Sequence, residues 1–119
     1  MKLDVLYLTL YCGLIFYLSH QSTLPLPMAF PHQDKLVHGS AYAVMAWLAW
    51  RAFKHGKMSK LWLGIISVGF CSMYGVSDEF HQSFIQGRDA DVWDWVADTT
   101  GAALMISMIG LRSRIEEQK

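Results

Sequence analysis

The chain has 119 residues, of which 53% are hydrophobic and 17% are charged, and its formal net charge is zero. A soluble domain of this length could not bury so much apolar surface, so the composition excludes an ordinary soluble domain and favours a membrane protein. The basic residues are divided among short segments with no continuous patch, which argues against a nucleic-acid partner.

Four apolar stretches follow one another along the chain. Each is close to the ~20 residues that a helix needs to cross a ~30 Å hydrocarbon core. We therefore predict an all-α fold, a polytopic membrane protein with a bundle of four transmembrane helices in one domain over residues 1–119. The predicted helices cover about 3–20, 36–54, 61–84 and 91–111. Residues 21–33, which include Pro25, Pro27 and Pro31, are predicted to form an extended loop.

When the loops are placed alternately on the two sides of a membrane, the charges separate by sign. One side has a net charge of +5 and contains Lys2, Asp4, Arg51, Lys54, Lys57, Lys60, Arg112, Arg114, Glu116, Glu117 and Lys119. The other side has a net charge of −5 and contains Asp34, Lys35, Asp78, Glu79, Arg88, Asp89, Asp91, Asp94 and Asp98. Lysine and arginine in short loops stay in the cytoplasm, so both termini are predicted to be cytoplasmic and the acidic side to face outward.

Polar side chains on three of the predicted helices recur at intervals of three and four residues, which places them on one face of each helix. The three stripes contain Lys35, His38 and Tyr42; Asp78, His81 and Gln82; and Asp91, Asp94 and Asp98. Glu79 points about a quarter turn away from its stripe. Because short connections make neighbouring helices antiparallel, the three stripes are expected to converge on one cup at the outer surface.

Some members of this acidic set have an ordinary structural interpretation. Asp34, Asp89 and Asp91 suit helix capping or a solvated loop, and Arg88 could close the loop by pairing with an aspartate. Asp94 and Asp98 lie one and two turns inside the span, too deep for capping, and ionisable groups at membrane depth usually mark a functional site.

Carboxylates crowded at low dielectric cannot all be ionised, so either some carry protons or a cation offsets them. Aspartate oxygens together with imidazole could hold a divalent metal such as Zn²⁺, Mn²⁺ or Mg²⁺. The candidate metal ligands are Asp78, Asp94, Asp98 and His38. No closed metal-binding motif is present, so a metal cofactor stays an open possibility.

Two segments of the chain carry most of its polar residues at the acidic side, one reading DKLVHGSAYAVMAW from Asp34 and the other SDEFHQSFIQGRDADVWDWVADTTGAALM from Ser77. Both resemble the signature blocks of the VanZ-like family. The matching positions are Asp34, Lys35, His38, Asp78, Glu79, Gln82, Phe84, Gly87, Arg88, Asp94 and Gly101. Position 98 is aspartate where the family usually shows asparagine, which adds a carboxylate. The resemblance covers nearly the whole chain after the first helix.

The resemblance implies a small multi-helix protein of the bacterial inner membrane. The founding member of the family is associated with low-level resistance to the glycopeptide teicoplanin, and the family supplies no agreed substrate, cofactor or catalytic residue. The resemblance therefore indicates where the protein is located and which residues form its site, but it does not indicate an activity.

Two functional hypotheses follow, and whether the protein is an enzyme stays open. In the first, the outward-facing site binds or processes an anionic cell-envelope component, such as a lipid or a lipid-linked molecule, and the family resemblance connects this activity with glycopeptide resistance. Its substrate-binding residues would be Lys35, Arg88, Gln82 and Glu79, and its catalytic residues would be Asp78, Asp94, Asp98, His38 and His81. In the second, a non-catalytic membrane protein alters access of the antibiotic or of lipid. Homo-oligomers are compatible with either.

Overall fold

A computed structural model describes residues 1–22 and 27–119 of the chain. Within these residues the protein is all-α, with four helices and no strands: α1 Lys2–Ser19, α2 Gln33–Phe53, α3 Lys60–Gln82 and α4 Val92–Glu117. The predicted all-α architecture and the number of helices are confirmed. Consecutive helices run in opposite directions, so α1 and α3 end where α2 and α4 begin. We call this the acidic end and the opposite end, with both chain termini, the basic end.

Two helices, α1 and α3, are long and apolar enough to cross a membrane by length and composition. The helices α2 and α4 do not meet the same criterion, and both carry charged residues in their first turns, namely Asp34 and Lys35 in α2 and Asp94 in α4. A bundle of four membrane spans therefore remains a proposal, whereas two candidate spans are present.

Large apolar side chains are exposed on all four helices. Examples are Leu10 on α1, Leu36 on α2, Met73 on α3 and Met108 on α4, each between 60% and 71% exposed. A soluble protein rarely exposes so much contiguous apolar surface. This distribution supports a membrane environment around the bundle.

The tightest helix crossing joins α2 to α4 at two glycines. A Cβ atom added at Gly101 would lie 2.0 Å from the carbonyl oxygen of Gly39, so only glycine allows this approach. Below the crossing lies a core that includes Tyr42, Met45 and Ala102. The close approach fixes how the polar residues of α2 face those of α4.

The helix ends differ in detail from the prediction. Asp91 caps α4, since its side chain accepts a hydrogen bond from the backbone N–H of Trp93, as capping predicts. Asp34 does not cap α2, because the helix begins at Gln33 and the residue before it is His32, with φ of 62°. The helix α4 continues to Glu117, beyond the predicted end. Residues 27–32 precede α2 without helix, whereas residues 23–26, including Pro25, lie outside the described part of the predicted loop.

Candidate functional site

Lys35 is the centre of a group of carboxylates at the acidic end. Its Nζ atom donates to Asp34 at 2.6 Å, to Asp91 at 2.8 Å and to Asp94 at 2.7 Å. An ammonium group has three protons to donate, and these three carboxylates use them. In this arrangement Lys35 joins the start of α2 to the start of α4 and has no proton left for a ligand.

The hydrogen bond from Lys35 has an electrostatic consequence for Asp91, which lies just before α4. This bond, together with the bond from the backbone N–H of Trp93, holds the pKa of the Asp91 carboxyl below its usual range. Asp91 is therefore ionised at neutral pH and acts both as a cap and as a partner of Lys35.

Deeper in the bundle, His38 of α2, Glu79 of α3 and Asp98 of α4 form a second group, which we call the buried triad. Asp98 is fully buried, and its Oδ1 lies 2.9 Å from Nδ1 of His38. Glu79 accepts a hydrogen bond at Oε2 from the backbone N–H of Asp91, at 2.9 Å. One potential ligand atom of each triad residue lies within 4.8 Å of the other two.

Two oxygens of the buried triad are left over. Within residues 1–22 and 27–119, neither Oε1 of Glu79 nor Oδ2 of Asp98 has a hydrogen-bond partner. Neither carboxylate pairs with a lysine or arginine of that part of the chain. Buried carboxylate oxygens are normally satisfied, so this triad is an incomplete polar network.

Asp78 belongs to a separate group between α1 and α3. The hydroxyl of Ser19 donates to Asp78 Oδ1, and Nε2 of Gln82 donates to Oδ2 at 3.2 Å. All three side chains are buried. Asp78 and Gln82 were predicted as site residues and they do contact each other, whereas Ser19 was missed because its contact joins residues 59 positions apart.

His81 lies apart from these groups. Its ring stacks on Phe16 at 4.5 Å between centroids, and its Nε2 lies 3.1 Å from Nδ1 of His20. The structure thus places this predicted site residue against α1, away from the buried triad.

Arg88, in the connection between α3 and α4, contacts the end of α1. Its Nη1 donates to the carbonyl oxygens of Gln21 at 3.2 Å and of Leu18 at 3.5 Å. No aspartate of residues 1–22 and 27–119 lies within ion-pair distance of it. The alternative of a loop closed by an Arg88–aspartate pair is therefore not seen in this part of the chain.

Two adjoining cavities open among these groups. The larger has a volume of about 420 Å³ and the smaller about 70 Å³. Both are lined by Val37, His38, Gln82 and Arg88. The larger also touches Asp94, and the smaller touches Asp78. Polar side chains of three helices thus lie at one end of the bundle, but they form separate groups rather than one cup, with Asp78 bonded to Ser19 and His81 stacked on Phe16.

A larger apolar groove, of about 970 Å³, lies between α2 and α4 and includes Leu36, Val96 and Leu104. Its lining is mainly aliphatic and aromatic, with few groups that could orient a polar ligand. We therefore place the candidate site in the polar cavities.

A polar group at the basic end was not predicted from the sequence. Asp4 of α1 receives hydrogen bonds from Nε of Arg51 at 2.9 Å and lies 2.8 Å from Nε2 of His55. The sequence offers one signal for it, a charged residue inside an otherwise apolar first helix. Its partners lie 47 and 51 positions away, beyond any local pattern.

The family to which the chain belongs follows from comparison with known protein families. A family model for VanZ/LLP1 matches residues 5–112, nearly the whole chain. The chain belongs to the VanZ/LLP1 family. The resemblance seen in the sequence is confirmed, and the family signature residues Lys35, His38 and Asp94 are those that face one another between α2 and α4. No curated protein and no solved structure matches the chain.

Proposed function

We propose that this VanZ/LLP1-family protein binds the polar head group of an anionic cell-envelope component in the cavities at its acidic end. The observation that carries the proposal is the position of Arg88. It is the one lysine or arginine of the described residues that lines both cavities. A guanidinium group matches phosphate oxygens in geometry and charge, and its remaining donors suit an anionic group.

The position of the cavities relative to the apolar surface supports a lipid or lipid-linked ligand. They lie at the end of the bundle where the apolar helices α1 and α3 end. A ligand with its hydrocarbon chain in the bilayer could therefore place its head group beside Arg88. Occupancy of this site would alter access to envelope components, which gives a route to the glycopeptide resistance associated with the family.

The proposed orientation has the acidic end outside and the basic end in the cytoplasm of a bacterial inner membrane. Both termini and the turn over residues 54–59 lie at the basic end and carry most of the lysines and arginines. The positive-inside tendency then puts both termini in the cytoplasm, in a multi-pass arrangement. Fusions of a periplasmic reporter enzyme to Lys57 and to Gln86 test this, and activity only at Gln86 is expected.

Catalytic processing of the ligand is a further part of the proposal. Of the predicted catalytic residues Asp78, Asp94, Asp98, His38 and His81, the geometry favours His38 and Asp98. A histidine held by a buried carboxylate at a cavity wall suits proton transfer.

A non-catalytic structural role is the second candidate, and one observation favours it. Lys35 and its three carboxylates satisfy one another and join α2 to α4. If this were the purpose of the acidic end, the cavities would have no ligand.

Lipid binding by the purified protein separates these candidates. Native mass spectrometry in detergent would compare undecaprenyl phosphate, phosphatidylglycerol and zwitterionic phosphatidylcholine. We expect the two anionic lipids to bind and Arg88→Gln to weaken that binding by about 10- to 100-fold, since a charge-assisted hydrogen bond contributes about 1.5–3 kcal/mol.

The matched control is Arg112→Gln, because Arg112 is highly exposed at the basic end and pairs only with Glu116 among the described residues. Arg88 also bonds to α1, so helicity and thermal unfolding of each variant must be measured. Equal binding by Arg88→Gln and the unaltered protein, or equal binding of all three lipids, would contradict the proposal.

A further inference from the structure

The buried triad combines donors that suit a metal ion. It supplies one imidazole from His38 and two carboxylates, from Glu79 and Asp98, on three different helices. Imidazole nitrogen with carboxylate oxygen is a ligand set used by Zn²⁺ and Mn²⁺. The sequence had suggested Asp78 and Asp94 as ligands, whereas the geometry groups Glu79 with His38 and Asp98.

Two carboxylates of the buried triad combine burial with an oxygen atom that lacks a hydrogen-bond partner among the described residues, which indicates a missing cation. Asp98 is 0% exposed and Glu79 is 8% exposed, and each leaves one oxygen unpartnered within residues 1–22 and 27–119. An uncompensated buried carboxylate is costly, and Lys35 of the same end already donates to three other carboxylates. A divalent cation would balance the two carboxylates and fill both vacant acceptor positions.

The distances between the ligand atoms of the buried triad allow the three side chains to bind one ion after a small movement. Ligand atoms around a tetrahedral zinc ion with bonds of about 2.0–2.1 Å are separated by about 3.4 Å. The triad atoms lie within 4.8 Å of one another, so side-chain rotations are enough to close the site.

Gly75 provides the space in which Asp98 is accommodated. A Cβ atom at this position of α3 would lie 3.0 Å from Oδ2 of Asp98 and 3.2 Å from a ring carbon of Trp95. The unpartnered oxygen of Asp98 therefore faces α3 one turn from Glu79, on the side where the third ligand lies.

We propose that His38, Glu79 and Asp98 bind one divalent transition-metal ion, Zn²⁺ or Mn²⁺, between α2, α3 and α4. Three protein ligands leave a tetrahedral ion one open position, as in zinc sites that bind a water or a substrate. His38 also lines both cavities, so the ion lies at their wall and adds its positive charge to that of Arg88. The metal site does not depend on the proposed lipid ligand.

Metal titration of the full chain tests the proposal. Protein purified in detergent and treated with a chelator would be titrated with Zn²⁺ and with Mn²⁺ by calorimetry, and bound metal counted after gel filtration. We expect one ion per chain. Because changes to groups that merely support a ligand cost about 10- to 100-fold in affinity, Glu79→Gln and Asp98→Asn should each weaken binding by at least about 100-fold.

Asp78→Asn is the matched control, because Asp78 is also a buried carboxylate of α3 but is paired with Ser19 and Gln82. It should retain one ion with nearly unchanged affinity. Substitution by Co²⁺ gives an independent readout, since its visible spectrum reports ligand number and should change in His38→Ala.

Three outcomes would overturn the metal site: no ion bound to the unaltered protein, several ions bound with equal affinity in all variants, or an equal loss in Asp78→Asn and Asp98→Asn. Circular dichroism of each metal-free variant establishes that the helices are intact. Metal binding is measured without lipid and lipid binding is measured through Arg88→Gln, so failure of one proposal is distinguishable from failure of the other.

Discussion

At each end of the bundle a buried aspartate lies beside a histidine, and these two aspartates, Asp4 and Asp98, differ in how many of their oxygens have partners. At the basic end, both oxygens of Asp4 have partners, with Arg51 on one and His55 on the other. At the acidic end, Asp98 contacts His38 through one oxygen, and its other oxygen is unpartnered within the described residues. A complete set of partners is typical of a structural ion pair, whereas an incomplete one indicates a ligand site.

The difference between the two ends depends on the α2–α4 crossing, which positions the residues of the acidic end. Gly101→Ala should therefore cause the largest loss in the free energy of unfolding. Its new methyl group would collide with the backbone of Gly39, so we expect a loss of about 3 kcal/mol in the free energy of unfolding. The control is Gly110→Ala in the same helix, where no atom of the described residues lies within 4 Å of the added Cβ. Thermal unfolding in micelles should show a decrease for the first variant and a slight gain for the second. Equal unfolding temperatures would contradict the crossing.

Exchanging each buried aspartate for asparagine tests the comparison itself. Asp4→Asn removes the charge that Arg51 and His55 share, so the unfolding temperature should fall by several degrees. Asp98→Asn replaces a carboxylate that has no lysine or arginine partner among the described residues with a neutral amide of the same shape, so the metal-free protein should be unchanged or slightly more stable. The same change should abolish the stabilisation that added Zn²⁺ gives. A large loss of stability in metal-free Asp98→Asn would remove the distinction between the two ends.

A smaller effect is expected from Lys35→Gln, which leaves three carboxylates without their shared cation. The side chain is 26% exposed, so we expect a loss of about 1–2 kcal/mol. Lys35 also holds the pKa of Asp91 below its usual range. Its contribution is therefore present above the ordinary carboxyl pKa and disappears as pH falls through the lowered one. Unfolding curves recorded from pH 7 to pH 3 should show a difference between the two proteins that shrinks once the pH falls below the ordinary carboxyl pKa.

The smallest effect is expected at Lys60, which pairs with Glu117 at the basic end. Both side chains are more than half exposed, so Lys60→Gln should cost about 0.5 kcal/mol or less. If Lys60→Gln lowered the free energy of unfolding as much as Lys35→Gln does, the surface pair would be structurally important. Solvent exposure would then not explain the difference between the Lys35 and Lys60 ion pairs.

The part of the site that the sequence predicted is the part that helical periodicity controls. Residues spaced by three and four, such as Asp94 and Asp98, were correctly expected to share a face and to meet His38 and Lys35 from α2. The four helices were predicted from apolar run length alone, although their ends shifted where a cap or an extra turn was stabilised by local contacts.

What could not be predicted depends on the rotation of one helix against another. Glu79 was predicted as a substrate-binding residue although it points about a quarter turn away from the stripe that contains Asp78. The close packing of α3 on α4 at Gly75 places Glu79 within reach of Asp98, which residue spacing alone did not indicate. Ser19 and the Asp4–Arg51 contact likewise join distant parts of the chain, and no local pattern specifies such pairs.

The length of α4 has a practical consequence for experiments in living cells. Its 26 residues extend about 39 Å, some 9 Å more than a hydrocarbon core of about 30 Å requires. In the four-span arrangement that we propose, the surplus turns carry Arg112 and Arg114 into the lipid phosphate layer and beyond it. A fluorescent protein fused after Lys119 would then begin at the lipid head groups rather than inside the hydrocarbon core, which makes that position suitable for imaging and affinity capture.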